Sequence, residues 1–387
     1  MPWQETDAME QRIEFVVRAR QKQCGMSELC REYGISRKTG YKWLRRHEEV
    51  GSLSQLKERS RRPHGRSPWA TPQELEEKVV ALRQLHGWGA RKIHLLLERE
   101  GIVDVPVVTI SRILKRRGLV TLSRPSRSAQ LRFERQAPNE LWQMDFKGDF
   151  AVPGGRCYPL SVLDDHSRYA VGLYSLGGQK HESVQSCLVD CMERYGVPEA
   201  MLMDHGAPWW STTNGHGLTR LSVFLIQQGV HLIYSSVGHP QTQGKVERFH
   251  RTLNDSLRHR GLPRTLEGFT QALKDFRQEY NHVRPHEALA MAVPVDRYRP
   301  SQRRYSTNPP QWDYAEGSDV RRLNSSGCLY YRGTNYFVCE ALAAQTVLCQ
   351  DFDGRLLVTY RHMHVREIEL STGRTYALIR PVDSTQV

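Results

Sequence analysis

Between residues 139 and 261 the chain alternates strand-like and helix-like apolar periods, and this alternation limits the possible folds most. NELWQMDFKGDF (139–150) has period two, with Trp142, Met144 and Phe146 on one face and Gln143, Asp145 and Lys147 on the other. RCYPLSVLDDHSRYAVGLYSL (156–176) reads as a hairpin of two apolar strands joined by Asp164, Asp165, His166 and Ser167. SVQSCLVDCMERYG (183–196) has helical period and stops at Gly196. AMLM then forms a strand that runs into Asp204. Residues 217–229 read as a helix and VHLIYSS (230–236) as a strand. GHPQTQGKVERFHRTLNDSLRHRG (238–261) is a loop opening a long helix, with Val246, Phe249, Leu253 and Leu257 on its buried face. Strands interleaved with helices in this order predict an α/β core.

Three carboxylates in this stretch sit where the pattern gives them little reason to be. Asp145 stands mid-strand, Asp204 ends an apolar strand, and Glu247 sits beside the buried stripe near the start of the long helix. Singly, Asp145 reads as a paired buried acid, Asp204 as a turn residue and Glu247 as a surface residue. Together, two strand acids and one helix acid can converge, and carboxylates that close repel unless cations bind between them. Hard oxygen donors suit Mg²⁺ or Mn²⁺, and two ions roughly 3.5–4 Å apart can activate one oxygen of a phosphodiester and stabilise the leaving oxygen. Asp164 and Asp165 read as turn residues, and are the first alternative ligands. His250, Arg251, Asn254 and Arg258 follow Glu247 at helical spacing, on a face suited to phosphate. Lys245 and Arg248, flanking Glu247, join His250 and Arg251 as expected DNA contacts.

Charge is unevenly placed. Of the formal net charge of +13 over 387 residues, +12 falls on residues 1–137. So basic a first third implies a polyanionic partner, nucleic acid first. MSELCREYGISRKTGYKWLRR (26–46) reads as two short helices around Gly34, with Ser36 capping the second. Arg37, Lys38, Thr39, Tyr41 and Lys42 project from its first turns, a helix-turn-helix layout. A second unit opens at TPQE (71–74) and runs to about His86, followed by helices in 89–101 and 107–118. Ile110, Ile113 and Leu114 form the last helix's apolar stripe, with Thr109, Ser111, Arg112 and Lys115 off it. ERSRRPHGRSP (58–68) is a linker with four arginines; Arg61, Arg62 and Arg66 are expected on phosphates or in a minor groove.

The sequence thus divides into a helix-turn-helix domain (1–51), a basic linker (52–70), a second helix-turn-helix domain (71–122), a second basic linker (123–138), the α/β core (139–300), a linker (301–326) and a C-terminal domain (327–380). Short alternating strands with turns at Gly333 and Gly354 predict a small β-barrel there. Tyr330, Tyr331, Tyr336, Phe337, Arg332, Arg361 and Arg366 are available to DNA, a partner subunit or the barrel itself. The eight cysteines form no CxxC pair and read as reduced. No signal segment or apolar run of membrane-spanning length is present, so a cytosolic protein is expected.

WQMDF, LDDHSRY, MDHGAPW, GHPQTQGKVERFHRTL and YNHVRPHEAL (280–289) together resemble, in order, the signatures of DDE transposases of bacterial insertion sequences. The resemblance covers roughly residues 138–300. It implies a retroviral-integrase-like catalytic core of RNase H-like fold, with Asp145, Asp204 and Glu247 as catalytic, metal-holding acids and two Mg²⁺ or Mn²⁺ ions. It further implies cleavage of element ends to 3′-hydroxyls and their joining to target DNA. The expected setting is a homodimer or higher oligomer on double-stranded DNA, in a bacterial cytoplasm and nucleoid-associated. The chain departs from the pattern at His205, where relatives commonly have Asn. Residues 209–221 also lengthen the interval from Asp204 to Glu247.

Overall fold

The computed structural model describes residues 7–22, 24–58, 71–120, 134–211, 217–235 and 244–381. Two compact units divide after Pro72. Among its described residues the first has three α-helices, α1 (Ala8–Gln21), α2 (Met26–Glu32) and α3 (Arg37–Val50). Ser36 caps α3 as the sequence predicts, its hydroxyl accepting from the Thr39 N–H at 3.2 Å. Helix α1 lies upstream of the pair read around Gly34 and completes a core of Phe15, Val16, Leu29, Cys30, Trp43 and Leu56. Gly40 permits this packing, since a Cβ there would lie 2.8 Å from both Cys30 Sγ and Phe15 Cζ.

The second unit opens with α4 (Gln73–His86), α5 (Ala90–Arg99) and α6 (Val107–Arg116), close to the expected bounds and with their own apolar core. Glu76 on α4 is buried between Arg117 (2.8 Å) and Arg116 (2.7 Å), and the two guanidiniums hold its carboxyl below the usual range.

A six-stranded mixed sheet follows: β1 (Leu141–Phe146), β2 (Phe150–Val152), β3 (Gly155–Asp164), β4 (Ala170–Leu176), β5 (Ala200–Met203) and β6 (His231–Tyr234). The long β3 pairs with β4 on one edge and with β1, then β2, on the other, all antiparallel. β1, β5 and β6 are parallel neighbours. Helices α7 (His181–Tyr195) and α8 (Arg220–Gln227) share an apolar core with Trp142, Met144, Leu160 and Val162. Helices α9 (Gly244–Arg260) and α10 (Leu266–His282) pack with Cys157, Leu163, Ala170 and Leu173, which alternate with that set along β3 and β4. The sheet is therefore covered on both faces. Gly172 lets α7 approach, because a Cβ there would meet Cys191 Sγ at 2.7 Å.

The C-terminal strands do not form the expected barrel. β7 (Val320–Arg322), β10 (Thr346–Phe352), β11 (Arg355–Tyr360), β12 (Met363–Glu369) and β13 (Thr375–Pro381) make an open antiparallel sheet in the order β13-β12-β11-β10-β7. β8 (Cys328–Tyr331) and β9 (Thr334–Phe337) form a separate ribbon. The physical reason is a shared core: Leu329, Val347, Val358 and Ile368 belong to the same buried cluster as α7, α8 and the central sheet. A sheet that buries its apolar face against a neighbour has no need to close on itself. Arg361 donates to the Gln227 carbonyl at 3.0 Å and His362 Nε2 to that of Val230 at 3.0 Å, fastening the sheet beside α8. Of the expected contact residues, Tyr331, Tyr336 and Arg366 are buried, whereas Tyr330 is 61% exposed.

Candidate active site

Asp145 lies near the end of β1, opposite Ser161 of β3. Asp204 immediately follows β5, the parallel neighbour of β1. Glu247 is in the first turn of α9. One turn on, the buried His250 places Nε2 3.0 Å from the Ser161 hydroxyl and Nδ1 3.7 Å from Asp145 Oδ2. That contact holds the start of α9 over the strand carrying Asp145.

Burial pushes the Asp145 carboxyl up to about 7, and the charges of Asp204 and then Glu247 add to the effect. The Phe146 N–H and Lys147 oppose it. Asp145 thus feels both other acids. Burial, then Lys147, pushes the His250 imidazole down to about 3, so it is neutral near pH 7. Asp204 Oδ1 accepts from the Gly206 N–H at 2.9 Å and from the Trp209 indole N–H. Trp209 is buried and stacks on Phe146 with centroids 5.4 Å apart. His205 packs edge-on against Trp210 at 4.7 Å and beside Tyr234 at 5.5 Å. Among the described residues no three His, Cys, Asp or Glu side chains stand close enough to form a metal-holding group. Mutual repulsion of the acids opposes closer approach. Carboxylate oxygens at two strand ends and a helix start are still donors that fit a divalent cation, and the raised Asp145 is the group such a charge would relieve.

Asp164 and Asp165, the alternative ligands, are fully buried and committed elsewhere. Asp164 accepts from the Asn139 N–H (2.7 Å) and from the backbone (2.8 Å) and hydroxyl (2.5 Å) of Ser167. Asp165 accepts from the Arg135 N–H (2.8 Å), the Gln143 amide (2.8 Å) and the Lys245 ammonium.

Residues 135–240 and 228–294 match two family models, each described as an integrase core domain. Residues 11–64 match a helix-turn-helix domain and 39–114 a homeodomain-like domain. The chain carries an integrase core domain behind helix-turn-helix domains. Its enzyme class is that of the DDE-type polynucleotidyl transferases. The 31.7 kDa protein of insertion element IS407 from Burkholderia multivorans is 29% identical over 57% of this chain and 81% of its own length. The 39.2 kDa protein of insertion element IS476 from Xanthomonas euvesicatoria is 26% identical, over 60% of this chain and 66% of its own. The transposase of transposon Tn552 from Staphylococcus aureus is 24% identical, over 52% and 47% respectively.

The expected DNA contacts divide into two groups. Arg37, Lys38, Tyr41, Lys42, Ser111, Arg112, Lys115, Arg248 and Arg251 are exposed; Thr39 and Thr109 are half-buried. Lys245 and His250, also expected on DNA, turn inward. Lys245 neutralises the buried Asp165, and His250 is held by Ser161. Helical period alone cannot show that the first turn of α9 is flanked by β1 and the β3–β4 turn. Arg61, Arg62 and Arg66 lie outside the described residues. Sequence reasoning missed Trp209 as the clamp on Asp204; the Trp pair that begins the inserted segment is the signal that could have shown it.

Proposed function

We propose that this chain is a DNA transposase whose helix-turn-helix units bind the terminal inverted repeats of its element. Its core would cut each end to a 3′-hydroxyl and join that hydroxyl to target DNA. Asp145, Asp204 and Glu247 are the catalytic acids in this reading and the residues that would hold divalent cations. Two Mg²⁺ or Mn²⁺ ions would supply Lewis acidity to the attacking and leaving oxygens of one phosphodiester. The observation that carries the reading is the raised carboxyl of Asp145, set by burial and by the two other acids. Trp209 and the Gly206 N–H aim Asp204, and the neutral His250 packs beside Asp145 without adding a competing positive charge. Joining two element ends requires at least a dimer on DNA. A soluble, cytoplasmic, nucleoid-associated protein fits this role, and no described helix is long and apolar enough to cross a membrane.

The test is strand joining. Full-length protein, Mg²⁺ and a pre-nicked element end are incubated with target plasmid, alongside Asp145→Asn and Glu247→Gln. The reading requires joined products from the native chain and none from either variant, with end binding intact in all three. Cleavage without joining would make the protein a nuclease. Unaltered function in Glu247→Gln would make it a DNA-binding regulator.

A further inference from the structure

The second helical unit docks on the integrase core through side chains from both. His86 Nδ1 lies 2.7 Å from Glu279 of α10, which also pairs with Arg260 of α9. His259 Nε2 donates to the Gln84 carbonyl at 2.7 Å, and Arg99 donates to that of Val283 at 3.1 Å. Between α4–α6 and α9–α10 these contacts frame a cleft of about 930 Å³. Lys92, Lys115, Arg258 and Arg284 line it and make no ion pair among the described residues. Glu279 is taken by His86 and Arg260, which leaves Asp255 as the remaining carboxylate on the described lining.

Two of these cations, Arg284 and Lys92, bear on each other's charge. Arg284 has its Nε buried with no hydrogen-bond partner, and its Nη1 stands 3.4 Å from His286 Nδ1. His286 Nε2 is 3.3 Å from the Tyr280 carbonyl, which can only accept. The imidazole therefore donates there and presents Nδ1 as an acceptor to Arg284. Burial, with Arg284 next, keeps His286 neutral by pushing it down to about 3. Across the cleft, burial draws Lys92 down to about 7, and Arg284 and Arg248 push the same way against Glu287. Arg248 directly follows Glu247 on the exposed side of α9. Crowded cations with a buried donor left unpaired are costly unless an anion meets them.

We propose that Lys92 and Arg284 bind one phosphate group in this cleft, a phosphodiester of DNA that lies between the second helical unit and the catalytic acids. The site's existence rests on the cleft; its DNA ligand rests on the function proposed above. A lysine from the helical unit and an arginine from the core meet on one anion, so bound DNA would tie the two together. The YNHVRPHEAL segment, which supplies Arg284 and His286, thereby gains a role.

Binding of full-length protein to duplex DNA, followed over salt concentrations of about 50–250 mM, reads the number of phosphate contacts, each worth a slope of about 0.9 in log K against log salt. Lys92→Gln should lower that slope by roughly one contact, Arg284→Gln should do the same, and Lys92→Arg should restore it. Inorganic phosphate should raise the thermal midpoint of the native chain and not that of Lys92→Gln. Circular dichroism checks that Arg284→Gln is folded, and Lys92→Gln carries the test if it is not. An unchanged slope in Lys92→Gln overturns the DNA assignment, and a phosphate shift surviving in that variant overturns the site itself. A lowered slope in a protein that joins no strands would leave the phosphate site standing and remove the transposase reading.

Discussion

Asp145 carries a cost in stability that its proposed role would explain. Its folded carboxyl stands at about 7, above the ordinary value of 3.8. The penalty for ionising it is absent below the unfolded value, grows as pH rises through that interval, and is complete above 7. Asp145→Asn should therefore stabilise the metal-free protein at pH 8, by on the order of 1–4 kcal/mol, while abolishing strand joining. Thermal unfolding in chelator measures the first effect, and an unchanged or lower midpoint would refute it. Lys245 has the opposite balance. Lys245→Met leaves the buried Asp165 without its cation and should cost about 3 kcal/mol in denaturant unfolding. A surface phosphate contact would instead leave stability unchanged.

Histidines set a further pH dependence. Burial pushes His286 down to about 3 and His362 down to about 4. Each is neutral in the fold and takes a proton in the unfolded chain below about 6.5. Stability is thus intact above that value and falls as pH drops toward the folded values, by up to about 1.4 kcal/mol per unit for each histidine. His362→Gln should flatten the pH 6 to 4 limb of the unfolding curve. An unaltered limb would show that His362 is protonated in the native state.

At the scale of elements, close approach is governed by the smallest residues. Helix α3 crosses its neighbours at Gly40, where Cys30 and Phe15 leave no room for a methyl group. Gly40→Ala should cost about 1–3 kcal/mol by overpacking and weaken end binding through the displaced α3. Hydrogen exchange across residues 37–50 of the full chain reads this directly, and unaltered protection would count against it. α9 shows what pattern reading can and cannot supply. Its stripe of Val246, Phe249, Leu253 and Leu257 was legible and is buried as expected. The inward turn of His250 and Lys245 was not, because it depends on which strands lie under the helix's first turn.

For the whole molecule, the buried cluster that runs from the central sheet through α7 and α8 into the C-terminal sheet makes the last sixty or so residues part of the core's stability. α8 contacts the Glu340–Leu342 turn, and Cys339 donates to the Leu218 carbonyl. A chain ending at residue 318 should bare this apolar surface and give an aggregating, dye-binding product. Soluble, cooperative unfolding of that truncated chain would show that the sheet is an independent appendage.

The sequence by itself determined the order of strands and helices from β1 to α9, the Ser36 cap, the basic first third, and three acids carried by two strands and a helix start. Each of these follows from local period, capping chemistry or charge count, which near neighbours dictate. Tertiary structure decided the rest: the open C-terminal sheet, the clamp of Trp209 on Asp204, the pairing of Lys245 with Asp165, and the basic cleft between helices far apart in the chain. Those features arise from burial and long-range contact, and desolvation acts only where distant segments have already come together.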